Sequence, residues 1–170
     1  MKDKTIVALD AMGGDHAPVE MVKGAVKAVQ ERTELIVKLV GDESVIRQEL
    51  SNYSYPKDQI EVIHASQKID TAESPVAAIR GKKDSSMVVG LNLVKSQQAH
   101  GFVSAGNSGA ILVGGQLIVG RIKGVERPPL APLLPTNKGV SLLVDCGANV
   151  DARASHLVQF AKMGSIYMEN

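Results

Sequence analysis

The chain has 170 residues, of which 44% are apolar and 22% charged, and its formal net charge is +1. A composition so close to neutral argues against a basic nucleic-acid-binding surface, and aromatic residues, at 3% with no Trp, are too few to stack the bases of a single strand. Cys146 is the single cysteine, so no disulfide can form within the chain and we expect a reducing, cytoplasmic environment. The sequence shows neither a signal peptide nor an apolar run long enough to span a bilayer, so we expect a protein that is neither secreted nor membrane-spanning.

The first part of the chain alternates short β-branched runs with stretches of helical periodicity. Strands are predicted at residues 5–9, 35–40 and 60–63. Between the first two strands, valines recur at helical spacing from Pro18 to about Glu31, and a second helix precedes the third strand. Strands and helices alternate in this way in α/β proteins, whose sheets are mostly parallel.

A polar stretch then leads to two helices and to the segment on which the functional interpretation centres. Pro75 begins a short helix that Gly81 closes, and Asp84 is the predicted cap of the next helix. Residues 101–104 are predicted to form a buried strand and residues 107–119 a largely buried helix. The turn between them lies at the carboxyl end of the strand, which is the edge where open α/β sheets bind ligands.

The last part of the chain begins with a basic loop. Residues 130–134 and 140–144 are predicted to be adjacent strands, and the turn-forming residues between them favour an antiparallel pair. A final helix begins near Ala154. Its apolar pattern runs to the last residue without a clear closing cap, so we expect the natural chain to continue.

Three polar turns follow predicted strands, at residues 10–16, 104–109 and 145–151, and a parallel sheet would bring them to one edge. Their Gly, Asp, Asn and Ser residues offer backbone N–H groups and short polar arms to a small oxyanion and a polarised carbonyl. Gly106 and Gly109 would let the backbone approach the anion closely. The alternative is that each segment is an ordinary βα turn capped by Asn or Ser.

Familiar short motifs that bind phosphate groups or dinucleotides, or that present a serine nucleophile, are absent. The chain has no G-x-x-x-x-G-K-[ST] phosphate loop, no G-x-G-x-x-G dinucleotide motif and no G-x-S-x-G nucleophile elbow. Its four histidines are scattered without metal-ligand spacing, so no metal site is predicted. Among them, His16 is a candidate for the site because it lies beside Asp15 in the first turn.

Two basic clusters adjoin glycine turns. The first consists of Arg80, Lys82 and Lys83 around Gly81, and a second cluster follows the predicted helix at residues 107–119: Arg121, Lys123 and Arg127. Clusters of this kind are ordinarily solvated surface. The alternative is that they bind phosphate or steer the approach of an acidic carrier protein.

Five segments, taken together, carry a resemblance: Asp10-Ala-Met-Gly-Gly-Asp-His-Ala-Pro, Lys82-Lys-Asp-Ser-Ser-Met, Ser104-Ala-Gly-Asn-Ser-Gly-Ala, Gly120-Arg-Ile-Lys-Gly and Asp145-Cys-Gly-Ala-Asn-Val-Asp. In this order they resemble the bacterial phosphate acyltransferase family, whose members make acyl-phosphate from acyl-acyl carrier protein. The match spans nearly the whole chain and corresponds to roughly the first half of a longer family chain. Two departures are visible: Ser108 stands where the family usually has Thr, and Cys146 where Val is common. Both preserve size.

The resemblance implies a Rossmann-like three-layer α/β sandwich with a mostly parallel sheet, similar to phosphotransacetylase and the isocitrate dehydrogenase-like group. The family site lies in a cleft between two domains, so residues 1–170 would be the N-terminal portion of a two-domain acyltransferase, with the second part of the cleft absent. Positioning of reactants in a closed site can contribute roughly 7–11 kcal/mol of barrier reduction. We therefore expect residues 1–170 alone to show little or no acyl transfer.

The resemblance also implies the reaction and its partners. A fatty acyl group would pass from the phosphopantetheine thioester of acyl carrier protein to inorganic phosphate, in phospholipid synthesis, and no cofactor is implied. The implied partners are inorganic phosphate, the acyl carrier protein, a second copy of the chain in a homodimer, and a membrane surface contacted peripherally through the remaining half. Nucleic acid is not among them.

The candidate site residues follow from their positions in the three turns and the first basic cluster. Those predicted to be catalytic are Asp15, His16, Asn107 and Ser108. Those predicted to bind substrate are Asp10, Gly14, Arg80, Lys82, Ser104, Gly106, Gly109, Asp145 and Asn149. Two other functions stay open, namely a short-chain phosphotransacetylase that uses coenzyme A and a non-catalytic anion-binding module.

Overall fold

The computed structural model describes residues 4–169. The chain divides into two compact units, a first unit that ends at Gly120 and a second unit that begins at Arg121. The first unit contains β1 (Thr5–Asp10), α1 (Val19–Glu31), β2 (Leu35–Gly41), α2 (Glu43–Leu50), β3 (Ile60–His64), α3 (Pro75–Gly81), α4 (Ser86–Lys95), β4 (Gly101–Val103) and α5 (Ser108–Gly114), which continues as a π-helical segment (Gly115–Val119). The second unit contains β5 (Leu133–Thr136), β6 (Gly139–Leu142) and α6 (Ala154–Glu169).

The first unit is built on a four-stranded parallel sheet with the strand order β3-β2-β1-β4. The predicted α/β fold with a mostly parallel sheet is therefore confirmed. Strand β4 pairs with β1 so that Val103 lies opposite Leu9. Val103 was expected to be buried, but its side chain is 53% exposed, because within residues 4–169 its strand pairs with β1 alone.

Apolar side chains cover both faces of this sheet and make three layers. On one face, the buried valines of α1 and Ile46 of α2 pack against Leu39 of β2. On the other face, Leu93 of α4 packs against Ala8 and Val40. Successive residues of a strand point to opposite faces, so a strand covered on both sides is apolar along most of its length. This is the sandwich that the sequence pattern and the resemblance implied.

The start of α4 differs from the prediction. The Ser85 side chain, and not that of Asp84, caps this helix by accepting a hydrogen bond from the N–H of Val88 at 3.3 Å. The Asp84 carboxylate instead accepts hydrogen bonds from the N–H and the hydroxyl of Ser66, at 2.9 and 2.5 Å. These two bonds lower the pKa of Asp84 and tie the start of the helix to the loop that follows β3. The predicted cap was wrong because a partner distant in sequence occupies that carboxylate.

The second unit holds an antiparallel pair of strands, as predicted, with shifted bounds. Leu134 lies opposite Ser141, and Pro135 and Thr136 belong to β5 and not to the turn. Strand β6 pairs with β5 in a separate two-stranded sheet. The polar turn at residues 145–151 therefore does not follow a strand of the parallel sheet, and the premise that placed it on the same edge as the other two turns was wrong. No helix within residues 4–169 is long and apolar enough to cross a bilayer.

Candidate active site

The candidate site lies where the strand order of the parallel sheet changes direction. The chain leaves β1 towards β2 and β3 on one side of the sheet and later returns to β4 on the other side of β1. Asp10 is the last residue of β1, and Ser104 directly follows β4. Where the connections that follow two adjacent parallel strands lead in opposite directions, a crevice opens at the carboxyl ends of those strands. Open α/β sheets bind ligands in this crevice.

A hydrogen bond joins the first two polar turns across this crevice. The Ser104 hydroxyl donates to Asp10 Oδ2 at 2.8 Å, and Ser104 Oγ accepts from the N–H of Gly106 at 3.1 Å. Asp10 Oδ1 accepts from the N–H of Met12 at 3.1 Å. Asp10 is only 2% exposed, and a buried carboxylate is stable only when hydrogen-bonded in this way. The two turns that the sequence predicted to converge are in direct contact.

Gly13 makes this contact possible, although the sequence reasoning did not select it. A Cβ atom at Gly13 would lie 2.4 Å from Asp10 Oδ2 and 2.9 Å from Ser104 Oγ, so no side chain fits there. Gly106 packs against the same residue, because its own Cβ would lie 3.3 Å from Gly13 Cα. The doubled glycine in the first turn was the available signal. Its second member, Gly14, has a φ of 104°, a left-handed conformation that favours glycine.

Asn107 uses its whole side-chain amide to hold neighbouring backbone. Its oxygen caps α5 by accepting from the N–H of Ala110 at 2.9 Å. Its Nδ2 group donates to three carbonyl oxygens of the loop between β3 and α3, those of Asp70 and Thr71 at 3.2 Å and that of Glu73 at 2.9 Å. Asn107 is buried. The contacts give it a positioning role between α5 and this loop, and its predicted contact with phosphate stays a prediction.

The loop at residues 68–73, which we call the flanking loop, was missed as part of the site. Lys82 Nζ lies 2.6 Å from Glu73 Oε1 and donates to the carbonyl of Lys68 at 2.9 Å. The same Glu73 oxygen accepts from the N–H of Asp70 at 2.7 Å. Lys82 first, and then the Asp70 N–H, lower the pKa of Glu73 below its usual value. The charge of Lys82 is thus already paired with that of Glu73. In the sequence, the polarity of the segment after β3 was the only feature that could have indicated this loop.

A polar cavity of about 220 Å³ lies between the first turn and the flanking loop. Asp15 lines it together with Met12, Gly14, Lys68, Ile69, Asp70 and Thr71. Lys68 Nζ is 3.0 Å from Asp70 Oδ1, and both side chains are more than half exposed. The cavity therefore offers a small ligand a lysine and two carboxylates, at the edge of the crevice.

The other predicted residues of the first unit either are exposed to solvent or pack against a neighbouring residue. Ser108 and His16 are exposed, and their side chains have no hydrogen-bond partner among residues 4–169. Arg80 is exposed in the last turn of α3, about 7.5 Å along the helix from Pro75. Gly109 is required for packing, because a Cβ atom there would lie 2.7 Å from Pro75 Cγ.

The third turn is an ordered structure within the second unit. Asp145 Oδ1 accepts from the N–H of Leu130 at 2.7 Å, and its Oδ2 accepts from the N–H and side-chain amide of Asn149 at 2.7 and 3.0 Å. Burial opposes ionisation of Asp145, but the hydrogen bonds outweigh it and lower the pKa of this carboxyl. These contacts build the turn itself. The role of Asp145 and Asn149 in substrate binding stays a prediction.

Backbone N–H groups at the crevice are available to hydrogen-bond a ligand. The N–H groups of Gly13 and Gly14 in the first turn, and of Ser108 and Gly109 at the start of α5, have no acceptor among residues 4–169. Such groups can bind an anion and stabilise an oxyanion. Within residues 4–169, no group of three or more His, Cys, Asp or Glu side chains is arranged to hold a metal ion.

Comparison with known proteins identifies the family of the chain. The model of the family described as "fatty acid synthesis protein" matches residues 5–170. Phosphate acyltransferases from Alkaliphilus oremlandii (strain OhILAs) and Clostridium botulinum (strain Alaska E43 / Type E3) are 55% and 54% identical over 163 and 164 residues, which cover 96% of this chain and 48% and 49% of theirs. The chain thus spans about half the length of the curated relatives it matches.

Solved structures of lower identity share the fold. A phosphotransacetylase from Streptococcus pyogenes has a TM-score of 0.66 at 17% identity, and the EutD phosphotransacetylase from Staphylococcus aureus has a TM-score of 0.64 at 20% identity. Each match covers 93% of this chain and 51% of the other. The resemblance to bacterial phosphate acyltransferases that the five segments indicated is confirmed, and the chain belongs to the fatty acid synthesis protein family.

Proposed function

We propose that this chain supplies the phosphate-binding part of an acyltransferase, which forms acyl-phosphate from fatty acyl-acyl carrier protein and inorganic phosphate in phospholipid synthesis. The observation that carries the proposal is the hydrogen bond between Ser104 and the buried Asp10 at the switch point of the sheet. It holds two turns together beside N–H groups that are open to an anion. The names of the relatives support phosphate and an acyl group as the reactants.

The proposed chemistry needs little beyond positioning and charge stabilisation. An oxygen of phosphate attacks the thioester carbonyl carbon, the new C–O bond forms, and a tetrahedral oxyanion develops. Its collapse breaks the C–S bond and releases the carrier thiolate. Thiols have a pKa of about 8.5, so this leaving group needs little acid assistance. Backbone N–H groups fixed before the reaction stabilise the oxyanion without being consumed.

The residues divide into those that would touch phosphate and those that hold them in place. The backbone N–H groups of Gly13, Gly14, Ser108 and Gly109 are the proposed phosphate donors, and the exposed hydroxyl of Ser108 is a further one. Asp10, Ser104, Gly106 and Asn107 keep the turns in position through the contacts described above. Asp15, which lines the cavity, and His16, which follows it in the sequence, are the proposed proton-handling groups, and Arg80 would add positive charge.

Several features of the whole protein belong to the same proposal. A second domain would complete the cleft, and the single cysteine supports a cytoplasmic location. Exposed apolar side chains of the second unit, among them Leu133, Leu134 and Val140, support a homodimer. Peripheral contact with a membrane through the remaining half is the last feature, and it follows from the family resemblance.

The reaction is tested by an assay that separates the two acyl donors. In a protein that has the full length of the relatives and contains these 170 residues, we expect phosphate-dependent loss of a long-chain acyl carrier thioester and formation of acyl-phosphate. Acetyl-coenzyme A should react much more slowly. Faster reaction with acetyl-coenzyme A would favour the short-chain phosphotransacetylase, and no reaction with either donor would favour a non-catalytic module.

A further inference from the structure

The segment of residues 121–127, which we call the basic loop, presents three cations without acidic partners. Arg121, Lys123 and Arg127 are exposed, and none of them forms an ion pair with an acidic side chain within residues 4–169. The Arg121 guanidinium donates to the carbonyl of Glu126, so it is held close to its own loop. Three like charges on one short segment repel each other and favour a negatively charged partner.

Helix α6 holds the base of this loop in a fixed shape. The Gln159 side chain accepts from the N–H of Glu126 at 2.9 Å and donates to the carbonyl of Gly124 at 3.0 Å. The carboxylate of Glu126 lies 2.9 Å from Nε2 of His156, which is 3% exposed. His156 Nδ1 accepts from the N–H of Arg153 at 3.1 Å. The acidic side chain of the loop is therefore held on α6, while the basic side chains stay in solvent.

The tip of the loop presents an exposed apolar side chain between two of the cations. Ile122 is 79% exposed and lies between Arg121 and Lys123 in the sequence. A hydrogen bond of 3.0 Å from the N–H of Val125 to the carbonyl of Ile122 closes the turn, and Gly124 adopts a φ of 94° there. A fixed turn loses less conformational entropy on binding than a flexible one, so this segment is suited to docking on a folded partner.

We propose that the basic loop is the surface on which the acyl carrier protein docks, through an acidic face of that partner with Ile122 against an apolar spot within it. The proposal rests on the proposed function, which requires a carrier protein to deliver the thioester. A membrane surface is the less favoured partner, because lipid-binding basic segments typically carry four to eight cations and this loop carries three. Complementary charge steers such encounters and weakens with salt.

Binding of an unacylated acyl carrier protein to the 170-residue chain tests the proposal without any chemistry. We expect Lys123→Glu to weaken binding at least tenfold at low salt, and Lys123→Arg to bind like the wild type. Lys138→Glu is the matched control, since Lys138 is an exposed lysine of the same unit that forms no ion pair among residues 4–169. It should change the affinity less than twofold. Circular dichroism of each variant verifies that the second unit stays folded.

The outcomes separate this proposal from the proposed function. Equal weakening by Lys123→Glu and Lys138→Glu, unchanged binding by Lys123→Glu, or no binding of the carrier to the wild type would each overturn the docking surface. Preferential binding of the chain to phosphatidylserine vesicles would also overturn it. If acyl-phosphate forms in the full-length protein while Lys123→Glu binds the carrier normally, only the docking surface is wrong. If Lys123→Glu alone loses the carrier but no acyl-phosphate forms, the docking surface stands and the reaction is wrong.

Discussion

Gly13→Ala is the substitution that most directly perturbs the contact between the two turns. The added methyl carbon would lie 2.4 Å from Asp10 Oδ2, where an ordinary contact needs at least 3.4 Å. Asp10 Oδ2 would have to move by about 1 Å and Ser104 Oγ by about 0.5 Å, because the methyl group would press on both atoms of this hydrogen-bonded pair. Such a shift breaks the hydrogen bond of 2.8 Å between Ser104 and the carboxylate.

The expected cost follows from the kind of bond that is lost. Hydrogen bonds to charged groups contribute about 1.5–3 kcal/mol, and after the change only Oδ1 of the buried Asp10 carboxylate keeps its donor, the N–H of Met12. We therefore expect Gly13→Ala to lower the free energy of unfolding of the first unit by about 1.5–3 kcal/mol. Urea m-values of about 1–3 kcal/mol/M convert this loss into a midpoint lower by roughly 1 M.

Urea unfolding followed by circular dichroism measures this shift, with Gly24→Ala as the matched control. Gly24 is exposed in α1, and a Cβ atom there meets nothing within 4 Å. Alanine is favoured over glycine in a helix by about 0.8–1 kcal/mol, so the same substitution should raise the midpoint at this position. A Gly13→Ala midpoint equal to or above that of the wild type would refute the packing argument.

Three further predictions concern the same region. Gly106→Val should weaken phosphate binding at least tenfold in calorimetry while the sheet stays folded, because its branched side chain would press on Gly13, and an unchanged titration would remove Gly106 from the site. Asn107→Ala should lose about 1–3 kcal/mol of stability, whereas Asn107→Asp should recover the part due to the cap; equal losses in thermal unfolding would contradict the two roles assigned to the amide. Stability should fall as the pH drops from 4.5 through the lowered pKa of Glu73, since protonation there breaks the pair with Lys82. Glu73→Gln should flatten that part of the pH profile of unfolding, and an unaltered profile would show that the pair contributes nothing.

The sequence predicted the features that depend on local pattern. Alternating β-branched and helical segments identified the α/β fold, and the polar residues after two strands identified the crevice. That inference worked for Asp10 and Ser104 because their strands are neighbours in one parallel sheet. It did not extend to Asp145, because periodicity does not reveal which strands pair, and β6 belongs to another sheet.

The features that were missed depend on contacts between distant segments. Gly13 resembles any other turn glycine until the structure shows how closely the hydrogen-bonded side chains of Asp10 and Ser104 approach it. The flanking loop has no periodicity, and only the contacts of Asn107 and Lys82 reveal that it borders the crevice. Residue types therefore located the edge of the sheet, while the partners of each side chain required the fold.

Binding of phosphate beside the two joined turns can be followed by NMR titration of the ¹⁵N-labelled chain with inorganic phosphate. We predict saturable shifts of the amide signals of Gly13, Gly14, Ser108 and Gly109, whose N–H groups have no acceptor among residues 4–169. Signals from the opposite edge of the parallel sheet, such as that of Leu35 at the start of β2, should stay in place. Unchanged signals for the four amides, with shifts confined to the basic loop or absent altogether at millimolar phosphate, would show that phosphate does not bind beside these turns.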